Sequence, residues 1–112
     1  MRSGRIGLDL DLIPLPRRAE IGDYDWYDIE FRGVQVGKTR CRIESDLIRV
    51  YSIMIYPEYE RKGYARTVID HFKKESDCIV ADRVRYTARE FWIEMGFWQE
   101  GENDFIWRRK RP

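Results

Sequence analysis

The first half of the chain consists of short runs in which apolar and polar residues alternate. A period of two is typical of strands that bury one face. Prolines, glycines or short polar turns separate four such runs, which predict strands at residues 6–13, 26–32, Val34–Ile43 and 47–56. Because short links between consecutive strands favour antiparallel neighbours, this half of the chain predicts an antiparallel meander.

The fourth run leads into a different pattern. Its residues 50–56 are nearly all apolar, which indicates a strand buried on both faces, and Pro57 ends it. A charged turn at residues 58–62 and Gly63 follow. Beyond them the apolar residues fall three and four apart, as on one face of a helix, at Ala65, Val68, Ile69 and Phe72. The order is therefore strand, basic turn, helix.

The rest of the chain predicts a strand, a second helix and a hairpin. Residues 78–84 form a short apolar strand candidate. Thr87 and Glu90 have the spacing of a capping box, which predicts a helix that begins at Thr87 and ends at Gly96. Residues 97–99 and 105–109 predict the final hairpin. Together these elements predict one domain, residues 1–112, of the α/β class with a mixed α+β sheet.

The basic turn before the first helix has the composition of an anion site. The first turn of a helix has backbone N–H groups without internal acceptors, and the helix dipole adds partial positive charge there. Gly63 leaves the backbone accessible, while Arg61, Lys62 and Arg66 supply charge. A single glycine is weak evidence, so an ordinary connection with a solvated basic turn stays open as the alternative.

Residues 53–72 read IMIYPEYERKGYARTVIDHF. This segment resembles the acetyl-CoA-binding motif of the GNAT superfamily of N-acetyltransferases, in which a strand ends in a V-x-P-like step and R/Q-x-x-G-x-G/A opens a helix. Ile55-Tyr56-Pro57 matches the strand end, and Gly63-Tyr64-Ala65 matches G-x-G/A. Glu60 stands where the family usually has Arg or Gln.

A second segment, residues 87–97, reads TAREFWIEMGF and resembles the last helix and following strand of the same family. Ala88, Phe91, Gly96 and Phe97 occupy the expected positions, whereas Trp92 stands where the family often has Tyr. Both segments lie in the C-terminal half of the chain. The N-terminal half resembles the family only as a series of strands, because residues 14–24 are too few for the two helices that commonly form the acceptor wall.

The resemblance implies a GNAT-like fold and an enzyme that transfers an acetyl group from acetyl-CoA, as co-substrate, to an unidentified amine, without a metal. It implies a slot between two splayed parallel strands, with the main chain of the first strand facing pantetheine. The residues that it assigns to acetyl-CoA are Ile53, Met54, Ile55, Arg61, Lys62, Gly63, Tyr64, Ala65 and Arg66. A catalytically weak or inactive acyl-CoA-binding protein of the same fold stays open, because Glu60 and Trp92 depart from the pattern.

Direct attack of an amine on a thioester needs a polarised carbonyl, a proton donor for the leaving thiolate and a base. A backbone N–H at Ile55 or nearby on that strand is the candidate for polarising the carbonyl. Tyr86 is the candidate donor, with packing or water as the alternative. Glu58 or Glu44 is the candidate base, acting through water, although a residue of this kind is more often a surface carboxylate. His71 is interpreted as a surface histidine.

Composition narrows the classes of partner. The net charge of +1, from 21 basic and 20 acidic residues, argues against a general nucleic-acid binder, although the 4 Trp and 7 Tyr keep a module with aromatic strands open as a third alternative. No apolar run approaches the roughly 20 residues of a membrane span, so we expect a cytoplasmic protein. Cys41 and Cys78 lack metal-like spacing. A homodimer that completes the acceptor side is a further hypothesis.

Overall fold

A computed structural model describes residues 4–7, 9–15 and 24–110. Within these ranges, eight strands form one sheet in the order β1-β2-β3-β4-β5-β6-β8-β7. The strands are β1 (Gly4–Gly7), β2 (Leu10–Pro14), β3 (Asp25–Phe31), β4 (Val34–Ile43), β5 (Leu47–Ile55), β6 (Cys78–Ala81), β7 (Trp98–Glu100) and β8 (Asp104–Arg108). The α-helices are α1 (Tyr64–Glu75) and α2 (Arg89–Glu94), and short 3-10 turns occupy Pro57–Tyr59 and Tyr86–Ala88.

The predicted single strand at residues 6–13 is wrong. The segment forms the hairpin of β1 and β2, in which Gly7 pairs with Leu10 and Gly4 with Leu12. Asp9 has a φ of 63°, a left-handed conformation that Asp adopts more readily than most residues. A hairpin this tight keeps apolar and polar residues alternating through its turn, so the sequence pattern does not reveal the reversal.

The meander prediction is confirmed for β1 to β5, since each of these strands pairs antiparallel with the next. The chain then passes through α1 and returns as β6, which pairs parallel with β5. The C-terminal hairpin adds β8 beside β6 and β7 at the edge, both antiparallel. The sheet is therefore mixed, as predicted, and β5 lies where its two halves meet.

The main core lies between α1 and one face of the sheet. Val68, Ile69 and Phe72 of α1 are fully buried and belong to one apolar cluster with Ile29 of β3 and Val50 of β5. Burying an apolar side chain of this size contributes roughly 1.5–3 kcal/mol. The predicted helical stripe is thus confirmed at these three positions, and the packing fixes the start of α1 against the end of β5.

The second helix begins later than its sequence predicts. A 3-10 turn at Tyr86–Ala88 precedes α2, the N-cap is Ala88, and no side chain caps the helix, so the predicted capping box is wrong. Thr87 lies within the 3-10 turn, where its backbone is already curved. None of the helices in the described ranges is long and apolar enough to cross a membrane.

Candidate functional site

Strands β5 and β6 separate partway along their length. Their parallel pairing runs from Leu47 opposite Cys78 to Val50 opposite Ala81, and the amide of Asp82 then donates to the carbonyl of Val50 at 2.8 Å. Strand β5 continues to Ile55, whereas β6 ends at Ala81. The last five residues of β5 therefore lack a neighbouring strand on this side.

A β-bulge lies at the point of separation. On the other side of β5, Arg40 pairs with Ser52 and Cys41 pairs with Val50, so Tyr51 is the extra residue. Bulges of this kind bend a strand and increase its local twist. The bulge therefore turns the free half of β5 away from the line of β6 and opens a slot between the two strands.

Main-chain groups of β5 face this slot. Tyr56 donates its N–H to the carbonyl of Val36 at 2.8 Å, and Met54 lies opposite Lys38. In an antiparallel pair, hydrogen-bonded and non-hydrogen-bonded positions alternate. Met54 therefore directs its main-chain groups towards β4, and the main-chain groups of Ile53 and Ile55 point into the slot.

The basic turn at the far end of β5 presents unpaired amides. Arg61 has a φ of 64° and Gly63 a φ of 82°, so two left-handed residues flank Lys62. In the described part of the chain, no residue accepts a hydrogen bond from the backbone N–H groups of residues 61–66, and the first intrahelical bond runs from Thr67 to Gly63. A Cβ placed at Gly63 would meet nothing within 4 Å. These N–H groups, together with the helix dipole, form a cup of unpaired donors, a type of surface that favours anions.

The slot and the cup belong to one cleft of about 1060 Å³. Eight of the eleven residues that the sequence assigns to the site line it, namely Ile53, Met54, Ile55, Arg61, Gly63, Tyr64, Ala65 and Arg66. Its opposite wall consists of the segment after β6, the 3-10 turn and α2, including Arg85, Ala88 and Trp92. The lining residues of the cleft extend from Tyr51 at the bulge to Tyr64 at the N-terminus of α1.

Three predicted site residues do not line the cleft. Tyr86 is 83% exposed, and the guanidinium of Arg89 lies 5.6 Å from its ring centroid. Glu58 is exposed within the 3-10 turn, and Lys62 is exposed between the two left-handed residues. Glu44 is also exposed, in the turn between β4 and β5. The structure brings none of these side chains to the slot.

Sequence reasoning missed the polar group at the point of separation. The Tyr24 hydroxyl donates to Asp82 Oδ2 at 2.8 Å, across 58 residues of sequence. Burial and the adjacent Asp82 carboxylate raise the pKa of Tyr24, so its hydroxyl keeps its proton. Asp82 is 18% exposed and lines the cleft, as do Glu60 and Glu94. No short-range motif joins Tyr24 to Asp82, and only the long-range pairing of β5 with β6 could have indicated it.

The remaining candidate groups lie elsewhere. Burial lowers the pKa of His71, whose Nε2 is 4.0 Å from Glu75 on the outer part of α1. Cys41 and Cys78 are both free thiols, and burial raises the pKa of Cys41 to about 12. In the described ranges, no group of three or more His, Cys, Asp or Glu side chains could hold a metal ion.

Comparison with known proteins finds a similar fold in solved structures of acetyltransferases. No protein-family model matches the chain, and no curated protein matches it either. Among solved structures, the N-acetyltransferase YlbP of Bacillus subtilis in complex with coenzyme A is similar with a TM-score of 0.61 and 22% identity, over 74% of this chain and 66% of that one. The chain therefore spans just under two thirds of the length of YlbP.

Two further structures support the same similarity. Escherichia coli YhhK bound to coenzyme A has a TM-score of 0.65 at 13% identity, over 84% of this chain and 79% of that one. A GNAT family acetyltransferase from Elizabethkingia anophelis with acetyl-CoA bound has a TM-score of 0.55 at 10% identity, over 88% and 95%. Identities this low establish the fold alone, and that fold is the GNAT fold, as the two sequence segments predicted.

Proposed function

We propose that this chain, which has the GNAT fold, binds acetyl-CoA in the cleft and transfers the acetyl group to an amine. The observation that carries the proposal is the continuity of three features: the free main-chain edge of β5, the bulge at Tyr51 and the unpaired amides before α1. A thioester with a long amide-containing arm and a diphosphate would use all three. An ordinary strand-to-helix connection would need none of them.

In this proposal the diphosphate binds the cup formed by the backbone N–H groups of residues 61–66, which have no acceptor among the described residues. Arg61 and Arg66 line the cleft and add two positive charges. Glu60 also lines the cleft, and its N–H is already donated to Pro57 at 3.3 Å, so Glu60 contributes no amide to the cup. The role of Lys62 in binding acetyl-CoA remains a prediction. Its side chain is not part of the cleft lining, so it would attract the diphosphate by its charge alone.

The pantetheine amides would pair with the main chain of Ile53 and Ile55, as an added strand pairs with a sheet edge. Met54, the third residue predicted on this strand, would contact acetyl-CoA through its side chain, which is 46% exposed and lines the cleft. Because the N–H of Ile53 is the first free amide beyond the bulge, we assign it to the thioester carbonyl. Its hydrogen bond would stabilise the oxyanion that forms on attack.

The transfer itself needs no covalent enzyme intermediate. The amine nitrogen attacks the thioester carbon, a C–N bond forms, and the C–S bond then breaks. The nitrogen loses one proton and the coenzyme A sulfur gains one, so the products are an amide and a free thiol. We assign receipt of the amine proton to Asp82, since its carboxylate lies where β5 and β6 separate and holds Tyr24 by a 2.8 Å hydrogen bond.

The sequence candidates for proton transfer, Tyr86 and Glu58, remain predictions that rest on the resemblance. Their side chains are not part of the cleft lining, so each would need a movement or a water chain to act. Trp92, at the position where a tyrosine is common, is 4% exposed and packs its ring 4.8 Å from that of Phe97. This packing favours the second candidate function, an acyl-CoA-binding protein with little or no turnover.

The deciding experiment measures binding and turnover separately. Acetyl-CoA should raise the melting temperature of the protein, and a panel of amines should then release free coenzyme A, detected with a thiol reagent. A thermal shift without release of thiol under any amine supports the binding-only alternative. The absence of a shift at saturating acetyl-CoA contradicts both candidate functions. Gly63→Glu, which places a carboxylate in the cup, should abolish the shift.

A further inference from the structure

The face of the sheet opposite α1 has a row of aromatic rings and cations at the mouth of the cleft. Residues with buried side chains, such as Tyr27 and Thr39, point towards α1, and their neighbours Trp26 and Arg40 therefore point the other way. We call this row the arginine–aromatic band, and it consists of Trp26, Lys38, Arg40, Tyr51 and Arg83.

Arg40 is the centre of the band. Its guanidinium carbon lies 5.6 Å from the centroid of the Trp26 ring and 5.3 Å from that of the Tyr51 ring. Two rings that contact one guanidinium restrict its orientation. Nε of Arg40 is buried and has no hydrogen-bond acceptor in the described part of the chain. Within the described ranges, the Arg40 guanidinium therefore contacts the two rings and forms no ion pair with a carboxylate.

Further cations extend the band towards the slot. Lys38 Nζ lies 4.8 Å from the Trp26 ring, and Arg83 lies 5.0 Å from the Tyr51 ring. Arg49 is also close, because its charge lowers the pKa of Tyr24 against the larger effects of burial and Asp82. Two carboxylates lie beside this group: Asp82, with an oxygen 3.6 Å from Arg83, and Asp28, which pairs with Lys38 across β3 and β4. The cations Lys38, Arg40, Arg49 and Arg83 outnumber them.

Trp26, Tyr51, Asp82 and Arg83 all line the cleft. The band therefore begins where the proposed reaction would occur, beside the bulge that Tyr51 forms. Guanidinium groups bind carboxylates and phosphates through paired N–H donors, and a group stacked on aromatic rings is already oriented for that contact. Arg40 and Lys38 lie beside these residues, outside the cleft lining. A ligand with its amine at Asp82 would therefore extend out of the cleft to place an oxyanion at Arg40.

We propose that the arginine–aromatic band is the acceptor site and that it selects amines that also carry a carboxylate or a phosphate, which Arg40 and Arg83 bind. This inference rests on the proposed acetyl transfer, because it assigns the substrate class of the same cleft. The two oxyanions share one recognition chemistry, so the test includes both.

The experiment compares matched amines that differ only in the acid. With saturating acetyl-CoA, β-alanine is compared with its amide, and phosphoethanolamine with ethanolamine. The acid-bearing member of at least one pair should have the lower KM, and the better pair identifies the oxyanion. Arg40→Gln should raise that KM about tenfold to a hundredfold while changing kcat little, since it removes a charged hydrogen bond to the bound group.

Controls separate charge from folding. Arg42→Gln removes one charge from the same strand at an exposed position, 3.8 Å from Glu44, and should leave the KM within about twofold. Arg83 is 69% exposed, so Arg83→Gln should fold normally and still raise the KM for the acid-bearing amine. Equal KM values for both members of each pair, or equal effects of Arg40→Gln and Arg42→Gln, overturn the inference.

A binding measurement keeps the inference independent of turnover. In the protein saturated with coenzyme A, β-alanine or phosphoethanolamine should shift the NMR signals of the Trp26 indole and the Arg40 Nε–H, and the neutral partners should not. If no amine is acetylated but these shifts occur, the proposed acetyl transfer fails and the oxyanion site stands. If acetylation occurs with neutral amines and no acid shifts these signals, the site fails and the transfer stands.

Discussion

The amide of Asp82 donates to the carbonyl of Val50 at 2.8 Å, and this hydrogen bond is the last that joins β5 to β6 in the described ranges. On the other side of β5 the bulge at Tyr51 begins at the next residue. Pairing therefore ends on one side of β5 where the register shifts on the other. This coincidence opens the cleft and leaves the N–H groups of Ile53 and Ile55 free.

The first prediction concerns amide exchange along β5. In the free protein, the amides of Ile53 and Ile55 should exchange quickly with solvent, because they point into the slot. Met54, between them, should be protected, since its main chain faces Lys38 of β4. Coenzyme A should protect Ile53 and Ile55 and leave Met54 unchanged. NMR hydrogen exchange measures this directly. Protection of all three amides in the free protein would contradict the open edge.

The second prediction concerns the charges beside the anion cup. Arg61→Gln and Arg66→Gln should each weaken coenzyme A binding about two- to fivefold, since one exposed charge near a helix N-terminus contributes about 0.3–1 kcal/mol. Lys74→Gln removes a charge from the exposed C-terminal end of α1 and serves as the matched control. Calorimetry at low salt gives the three affinities. Equal losses for Arg66 and Lys74 would indicate a general charge effect and contradict a local site.

The third prediction distinguishes the candidates for proton transfer. Asp82→Asn keeps an acceptor for the Tyr24 hydroxyl and removes the base, so kcat/KM should fall about a hundredfold or more. Asp70→Asn, at an exposed position of α1, should leave it unchanged. Tyr86→Phe and Glu58→Gln test the two sequence candidates in the same assay. A large loss at Tyr86 with none at Asp82 would reverse our assignment.

Local patterns predicted the parts of this fold that depend on local structure. The bounds of Val34–Ile43 agree with the structure, and the helical spacing of Val68, Ile69 and Phe72 identified the buried face of α1. The hairpin of β1 and β2 was not predicted, because apolar and polar residues keep alternating where the chain reverses. The motif around Gly63 likewise located the turn with unpaired amides, because that feature depends on consecutive residues.

The rest of the site depends on register between distant strands. The bulge at Tyr51 exists only relative to Arg40 and Cys41 of β4, and the contact between Tyr24 and Asp82 spans 58 residues. No spacing within one segment contains this information. The sequence near α2 therefore gave Tyr86 as the candidate proton donor, although its side chain is 83% exposed. It gave no indication that Asp82 and Tyr24 meet where β5 and β6 separate.

The fourth prediction tests the close packing behind the slot. A Cβ at Gly37 would lie 2.1 Å from the main-chain oxygen of Met54 and 3.0 Å from Cα of Ile55. Neither atom belongs to a flexible side chain, so Gly37→Ala must displace β5 from β4. We expect a loss of about 1–3 kcal/mol in the free energy of unfolding, measured with urea, together with weaker coenzyme A binding. Wild-type stability in this variant would contradict the close approach of the two strands.

The last prediction uses the depressed pKa of His71. Burial lowers this pKa in the folded protein below its usual value of 6.5, and Lys74 adds to the effect, while Glu75 opposes it. Below pH 6.5 the unfolded chain therefore binds a proton that the folded protein binds less readily, so stability falls as the pH decreases towards the folded-state pKa. At pH 8 His71 is neutral in both the folded and the unfolded state, so it causes no loss of stability there.

His71→Gln should remove this part of the pH dependence. The melting temperature of the wild type should fall more steeply than that of the variant between pH 7 and pH 5, and the two profiles should run parallel above pH 7.5. Glu75→Gln provides the matched comparison, because it removes the carboxylate that opposes the lowering of the His71 pKa. Its melting temperature should fall more steeply with decreasing pH than that of the wild type. Since carboxylates elsewhere titrate equally in all three proteins, the differences between profiles isolate the histidine. Profiles that stay parallel from pH 8 to pH 5 would mean that His71 is as solvated in the folded protein as in the unfolded chain.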